Sequence, residues 1–109
     1  MLEPLLGSIN RERVLLFLYS RDQGYAREIA RFYKTDLSQI QKQLERLELG
    51  NIVYSKTLGK TRVYSLNPRY PFLEELQSLL EKVLSFYPSE ERKKLTLSRK
   101  RPRRKGKPL

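Results

Sequence analysis

Two residue types central to protein chemistry are missing from this chain: it has no cysteine and no histidine. That excludes a disulfide framework, a Cys/His zinc site and any histidine-based catalytic triad. No spaced nucleophile–base set built from Ser, Lys, Asp and Glu is visible in their place, so the sequence does not read as an enzyme and implies no cofactor and no metal. Long apolar runs are also absent. The longest is Val14-Leu15-Leu16-Phe17-Leu18-Tyr19, far short of a membrane span. The start, Met1-Leu2-Glu3-Pro4, lacks the basic-then-apolar pattern of a signal peptide. The expectation is a cytoplasmic protein with no membrane partner.

Acidic residues are in short supply: 23 Lys+Arg stand against 12 Asp+Glu, a formal net charge of +11. The excess is uneven. Residues 89–109 hold 10 of the basic residues and only 2 of the acids. A polyanion is the natural partner, nucleic acid first and an anionic membrane surface second. The 109 residues suffice for about one domain with a single modest core. Residues 1–88 are expected to form that domain and 89–109 a basic, flexible tail. A helical extension reaches at most to Leu97. The like-charge block from Arg99 to Lys107, interrupted by Pro102 and Gly106, predicts disorder in isolation.

Apolar periodicity lays out the rest. A first helix starts near Ser8 or Asn10, with Ser8 as N-cap, Glu12 near its first turn, and Val14, Leu15 and Leu18 on one face. Gly24 breaks it. A second helix, about Tyr25 to Tyr33, buries Ala26, Ile29 and Ala30. A third, about Asp36 to Leu49, carries the stripe Leu37, Ile40, Leu44 and Leu47. Its start is ambiguous between two capping boxes, Asp36 with Gln39 and Ser38 with Gln41. Gly50 suits a left-handed C-cap. Two strands follow, Asn51–Thr57 and Thr61–Leu66, joined by a tight turn around Gly59. A last helix, about Pro71 to Tyr87, shows an apolar band from Phe72 through Leu76, Leu79, Leu80 and Val83 that is too wide for a lone surface helix. Those five residues, with Leu2, Leu5 and Leu6 nearby, predict a homodimer across a two-fold axis.

Three helices and a hairpin in this order give a mainly α fold with a small β-hairpin: a winged helix-turn-helix, α-α-α-β-β-α. Such a frame places the third helix in the DNA major groove, and polar residues stand where that requires them. Ser38, Gln39, Gln41, Lys42 and Arg46 lie off the apolar stripe. Gln pairs with adenine, and Lys or Arg with guanine. Tyr25, Arg27, Arg31 and Lys34 are suited to phosphates, and Lys56, Lys60 and Arg62 surround the wing tip. Taken singly, each of these side chains is more often simply part of a solvated face. Tyr54 and Tyr64 fit strand packing better than base stacking. The weight lies in the conjunction of basic residues on two helices and a wing.

The stretches Tyr25-Ala26-Arg27-Glu28-Ile29-Ala30 and Ile40-Gln41-Lys42-Gln43-Leu44-Glu45-Arg46-Leu47-Glu48-Leu49-Gly50-Asn51-Ile52-Val53 resemble the helix-turn-helix core of the ArsR-like winged-helix transcriptional regulators. Leu58-Gly59-Lys60-Thr61-Arg62-Val63-Tyr64 resembles their wing. Asn67-Pro68-Arg69-Tyr70-Pro71-Phe72-Leu73-Glu74-Glu75-Leu76 is similar to a segment of a subgroup often encoded beside small nucleotidyltransferases. The resemblance covers about Asn10 to Leu84. It implies dimers, palindromic double-stranded DNA operators, recognition through the third helix, and groove-facing roles for Gln41, Lys42 and Gln43, with a neighbouring nucleotidyltransferase as partner by analogy alone. Many such regulators sense metals through Cys and His. This chain has neither, so no such site carries over. The alternatives are a winged-helix protein-interaction module and a general nucleic-acid binder that relies on its tail.

Overall fold

The computed structural model describes residues 1–97, so the basic block expected to be disordered lies outside the described residues. The elements run α1 (Glu3–Leu6), α2 (Ile9–Arg21), β1 (Gly24–Tyr25), α3 (Ala26–Tyr33), α4 (Leu37–Leu49), β2 (Val53–Leu58), β3 (Thr61–Leu66), α5 (Leu73–Ser85) and α6 (Ser89–Leu97). The three strands form one antiparallel sheet in the order β1-β3-β2.

The core is built around α2. Ser8 caps it by accepting from the Arg11 backbone N–H at 3.2 Å, satisfying one of the donors a helix start leaves open. The run Val14, Leu15, Leu16, Phe17 and Leu18 is buried without a gap. At about 100° per residue, such a run covers the whole circumference. The expected single apolar face is therefore too narrow a description: α2 is enclosed by α1, α3, α4, α5, α6 and the sheet. Ile29 and Ala30 of α3, Ile40, Leu44 and Leu47 of α4, Val53 of β2 and Leu80 of α5 complete the core.

Gly24 does more than end a helix. It sits in β1, paired with Tyr64, and a Cβ there would lie 2.7 Å from a ring carbon of Phe17. Only glycine lets this strand close over the phenylalanine. In the turn after α4, Asn51 and not Gly50 takes the left-handed conformation, with φ 62°. Asp36 occupies the N-cap of α4 with no side-chain capping bond, so neither expected capping box forms in full.

Two expectations about the C-terminal part are corrected. Leu80 and Val83 are 0% and 4% exposed and belong to the chain's own core; α5 turns them inward onto α2, and they are not available to a second subunit. Residues 89–97 form the helical extension allowed up to Leu97, and it is docked where the tail from residue 89 was expected to be flexible. Leu95 is buried, and Arg21 donates through Nε to the Leu95 carbonyl and through Nη2 to the Lys94 carbonyl, both at 2.9 Å. The same guanidinium lies over the rings of Phe17 and Phe32, 4.7 and 4.9 Å from their centroids.

Glu12 is fully buried. It accepts from the Met1 α-amino group at 3.1 Å, from the Leu2 N–H at 2.8 Å and from the Tyr87 hydroxyl at 2.6 Å. Burial alone pushes its carboxyl up, but the Tyr87 hydroxyl, the Leu2 amide and the Met1 ammonium outweigh this and hold it below its ordinary value of 4.5. A lowered folded-state pKa contributes stability above the unfolded value and loses it as pH falls through the folded one. Melting temperature should therefore decline as pH drops below 4.5, and thermal melts of the Tyr87→Phe variant should show a smaller acid-dependent loss together with about 1–3 kcal/mol lower stability at neutral pH.

Candidate nucleic-acid interface

α3 and α4 are joined by a tight turn in which Lys34 takes a left-handed conformation, φ 54°. The start of α3 is fixed by the Tyr25 N–H donating to Glu28 Oε1 at 3.3 Å, and Glu28 Oε2 lies 3.9 Å from Arg21. On α4 the buried residues are Ile40, Gln43, Leu44 and Leu47. The opposite side, with Ser38, Gln39, Gln41, Lys42, Glu45 and Arg46, faces solvent. This is the face a helix offers to base edges when it enters a major groove.

The wing is a hairpin with a two-residue turn, Gly59-Lys60, between β2 and β3. Gly59 has φ 64° and Lys60 does not share the positive value, the pattern of a type II′ turn with glycine first. Cross-strand partners are Ser55 with Tyr64, Lys56 with Val63, Thr57 with Arg62 and Leu58 with Thr61. Because successive strand residues alternate faces, Ser55, Arg62 and Tyr64 share one side of the wing and Lys56 lies on the other.

A groove of about 590 Å³ runs between the start of α3, the outer side of α4 and the wing. It is lined by Tyr25, Arg27, Gln41, Lys60 and Arg62, all expected from the sequence, and also by Ala26, Leu37, Glu45, Thr61 and Tyr64. Ser38, Gln39, Lys42 and Arg46 are exposed on α4 beside the groove and do not line it. Lys56 stands apart on the far face of the wing.

Arg62 does not project from the tip. Its Nη1 donates to Ser55 Oγ at 3.0 Å, and that hydroxyl donates to Glu48 Oε2 at 2.7 Å. The relay holds the guanidinium over the sheet and facing α4. Burial pushes the Tyr64 hydroxyl above its usual range, the carboxylates of Glu48 and Glu45 add to this, and Arg62 offsets part of it. Tyr64 thus keeps its proton and stays a donor at the groove floor.

Gln43 is where sequence reasoning failed. It is 4% exposed, and its Oε1 accepts from Arg11 Nε at 2.9 Å. Arg11 Nη1 donates in turn to the Leu6 carbonyl at 3.0 Å. Gln43 ties α4 to α2 and α1 and cannot reach a base. A buried amide needs such a partner, and the partner lies far away in sequence. Glu45 was missed in the other direction; its spacing of four from Gln41 is the signal that places both on one side of the helix.

Among the described residues no group of His, Cys, Asp and Glu is arranged to hold a metal ion, and no helix is long and apolar enough to cross a membrane.

No protein-family model and no curated protein sequence matches the chain. Solved structures do. A double mutant of Lactococcus lactis ZitR aligns with a TM-score of 0.54 at 18% identity, over 79% of this chain and 66% of that one. Its apo form aligns at 0.56 and 20%, over 84% and 73%. The adhesin competence repressor AdcR from Streptococcus pyogenes aligns at 0.53 and 13%, over 82% and 78%. The chain thus spans about two thirds to three quarters of the length of these proteins. At such identities the likeness is one of fold, and the fold is the winged helix: mainly helical, with a small three-stranded antiparallel sheet.

The division between inward Gln43 and outward Gln41 is directly testable. Gln43→Ala should lower stability by about 1–3 kcal/mol by leaving Arg11 Nε without its acceptor, whereas Gln41→Ala and Lys42→Ala should stay within about 0.5 kcal/mol of the parent, all read from denaturant melts.

Proposed function

We propose that the protein is a sequence-specific, double-stranded DNA-binding transcriptional regulator, not an enzyme, that acts as a homodimer with α4 in the major groove and the wing on the flanking backbone. The observation that carries this reading is the groove itself. Three elements distant in sequence bring Arg27, Lys60 and Arg62 around the polar outer side of α4, and cations converging beside a groove-sized helix suit a phosphate strand flanking base edges. The overall charge of +11 supports it, as does a fold shared with a protein named as a repressor. The residues resembling ArsR-like regulators favour that type, with a palindromic operator matching the two-fold symmetry of a dimer.

In this reading Gln41 and Lys42 read bases, while Ser38, Gln39 and Arg46 contact the groove edge. Tyr25, Arg27, Lys60 and Arg62 hold phosphates. Arg62 reaches DNA by exchanging Ser55 for a phosphate oxygen. Lys56, on the other face of the wing, contributes only to the long-range field.

Selection of bound duplexes from a random pool is the decisive experiment. The parent should yield a palindromic motif. Gln41→Ala or Lys42→Ala should relax it at one or two positions, by about 1–3 kcal/mol for each lost bidentate pair. Lys60→Ala and Arg62→Ala should weaken all sequences alike and reduce the salt slope by about one unit per contact. An unaltered motif and affinity in both α4 variants would remove α4 as the reader and favour a protein-interaction module.

The dimer rests on the apolar surface left exposed once Leu80 and Val83 are assigned to the core. Phe72 and Phe86 at the two ends of α5 are 61% and 66% exposed, and Leu5 is 70% exposed; Leu76 and Leu79 are half-buried. Sedimentation at about tens of micromolar, a concentration that detects even a weak interface, should give a dimer for the parent and a monomer for a Phe72→Ser, Phe86→Ser double variant. A monomeric parent removes the dimer from the proposal.

A further inference from the structure

One residue of the groove has the wrong charge for a phosphate. Glu45 lines it beside Arg27, Lys60 and Arg62, yet it forms no ion pair and no hydrogen bond among the described residues. The neighbouring acid on the same side, Glu48, is engaged by Ser55. Glu45 is exposed on the outer side of α4, one turn beyond Gln41, and with Leu37 they form a line at four-residue spacing along the groove.

An unpaired carboxylate here repels any phosphate strand, which lowers affinity for DNA in general. Among the base edges of a major groove its favourable partners are the donors, the N4 amino group of cytosine or the N6 amino group of adenine. Adenine presents its N7 acceptor beside N6, and a carboxylate has no donor to meet it. A glutamine, which donates and accepts, matches adenine better. Cytosine presents N4 with no adjacent acceptor of its own. Resting on the regulator reading above, the geometry points to Glu45 as a specificity-determining residue that selects a cytosine through its N4 amino group and penalises duplexes lacking one at that position.

The test uses the full chain and three proteins: the parent, Glu45→Gln and Glu45→Ala. Both substitutions fall at an exposed site, and thermal melts confirm that the fold is kept. Duplex selection from a random pool should give the parent a motif with one cytosine that both variants lose, with preference for it falling about tenfold. Binding to one fixed unrelated duplex should tighten several-fold in both variants, and the gain should shrink as salt screens the removed charge. A parent that selects no motif overturns the regulator reading and this one with it. A parent motif that both variants reproduce overturns the role of Glu45 alone, whatever happens to the unrelated duplex.

Discussion

Five consecutive side chains, Val14 to Leu18, leave solvent together on one helix, and an α-helix can bury such a run only if neighbours close over every side of it. That requirement organises the molecule. α4 and α3 pack on α2, as do α5 and α6, and β1 is drawn in so close that a Cβ on its glycine would collide with Phe17. The helix-turn-helix pair is thus held on a solid support, and the wing is fixed through β3, which pairs with both β1 and β2.

The ends of the central helix carry the polar side of the same constraint. Arg11 leaves it to bind Gln43 and the Leu6 carbonyl. Glu12 gathers Met1, Leu2 and Tyr87. Arg21 donates to two carbonyls of α6 while lying on two aromatic rings. Each group sits where apolar neighbours have displaced water, so each must find a partner within the protein. The partners lie on or next to α1, on α4, just past α5 and on α6, so these bonds help set the placement of the outer helices around α2. One of them, Arg11–Gln43, secures α4 in the rotation that the buried stripe Ile40, Leu44 and Leu47 already favours, with Gln41 and Lys42 outward.

The groove follows from this placement. Its cations come from α3 and the wing and its polar line from α4. No single segment carries a binding motif by itself; the arrangement exists only because α2 and the sheet hold the three pieces at a common surface. The Arg62–Ser55–Glu48 relay sets the wing toward α4.

The sequence by itself determined the order of helices and hairpin, the inward stripe Ile40, Leu44 and Leu47, the tight glycine turn of the wing, and the outward placement of Gln41 and Lys42. All of these follow from spacing and local chain conformation, which neighbouring residues decide among themselves. Tertiary structure alone decided four other things. Gln43, at the edge of the apolar arc, turns inward because Arg11 waits there. Leu80 and Val83 belong to the core because α5 lies against α2 and does not stand free. β1 is two residues long, too short to carry any periodicity, and exists only because β3 offers it an edge. Residues 89–97 dock through the buried Leu95 and through the donation of Arg21 to the Lys94 and Leu95 carbonyls. Each depends on a pairing between residues far apart in the chain, and local patterning holds no information about which distant polar group or strand edge will arrive to satisfy it.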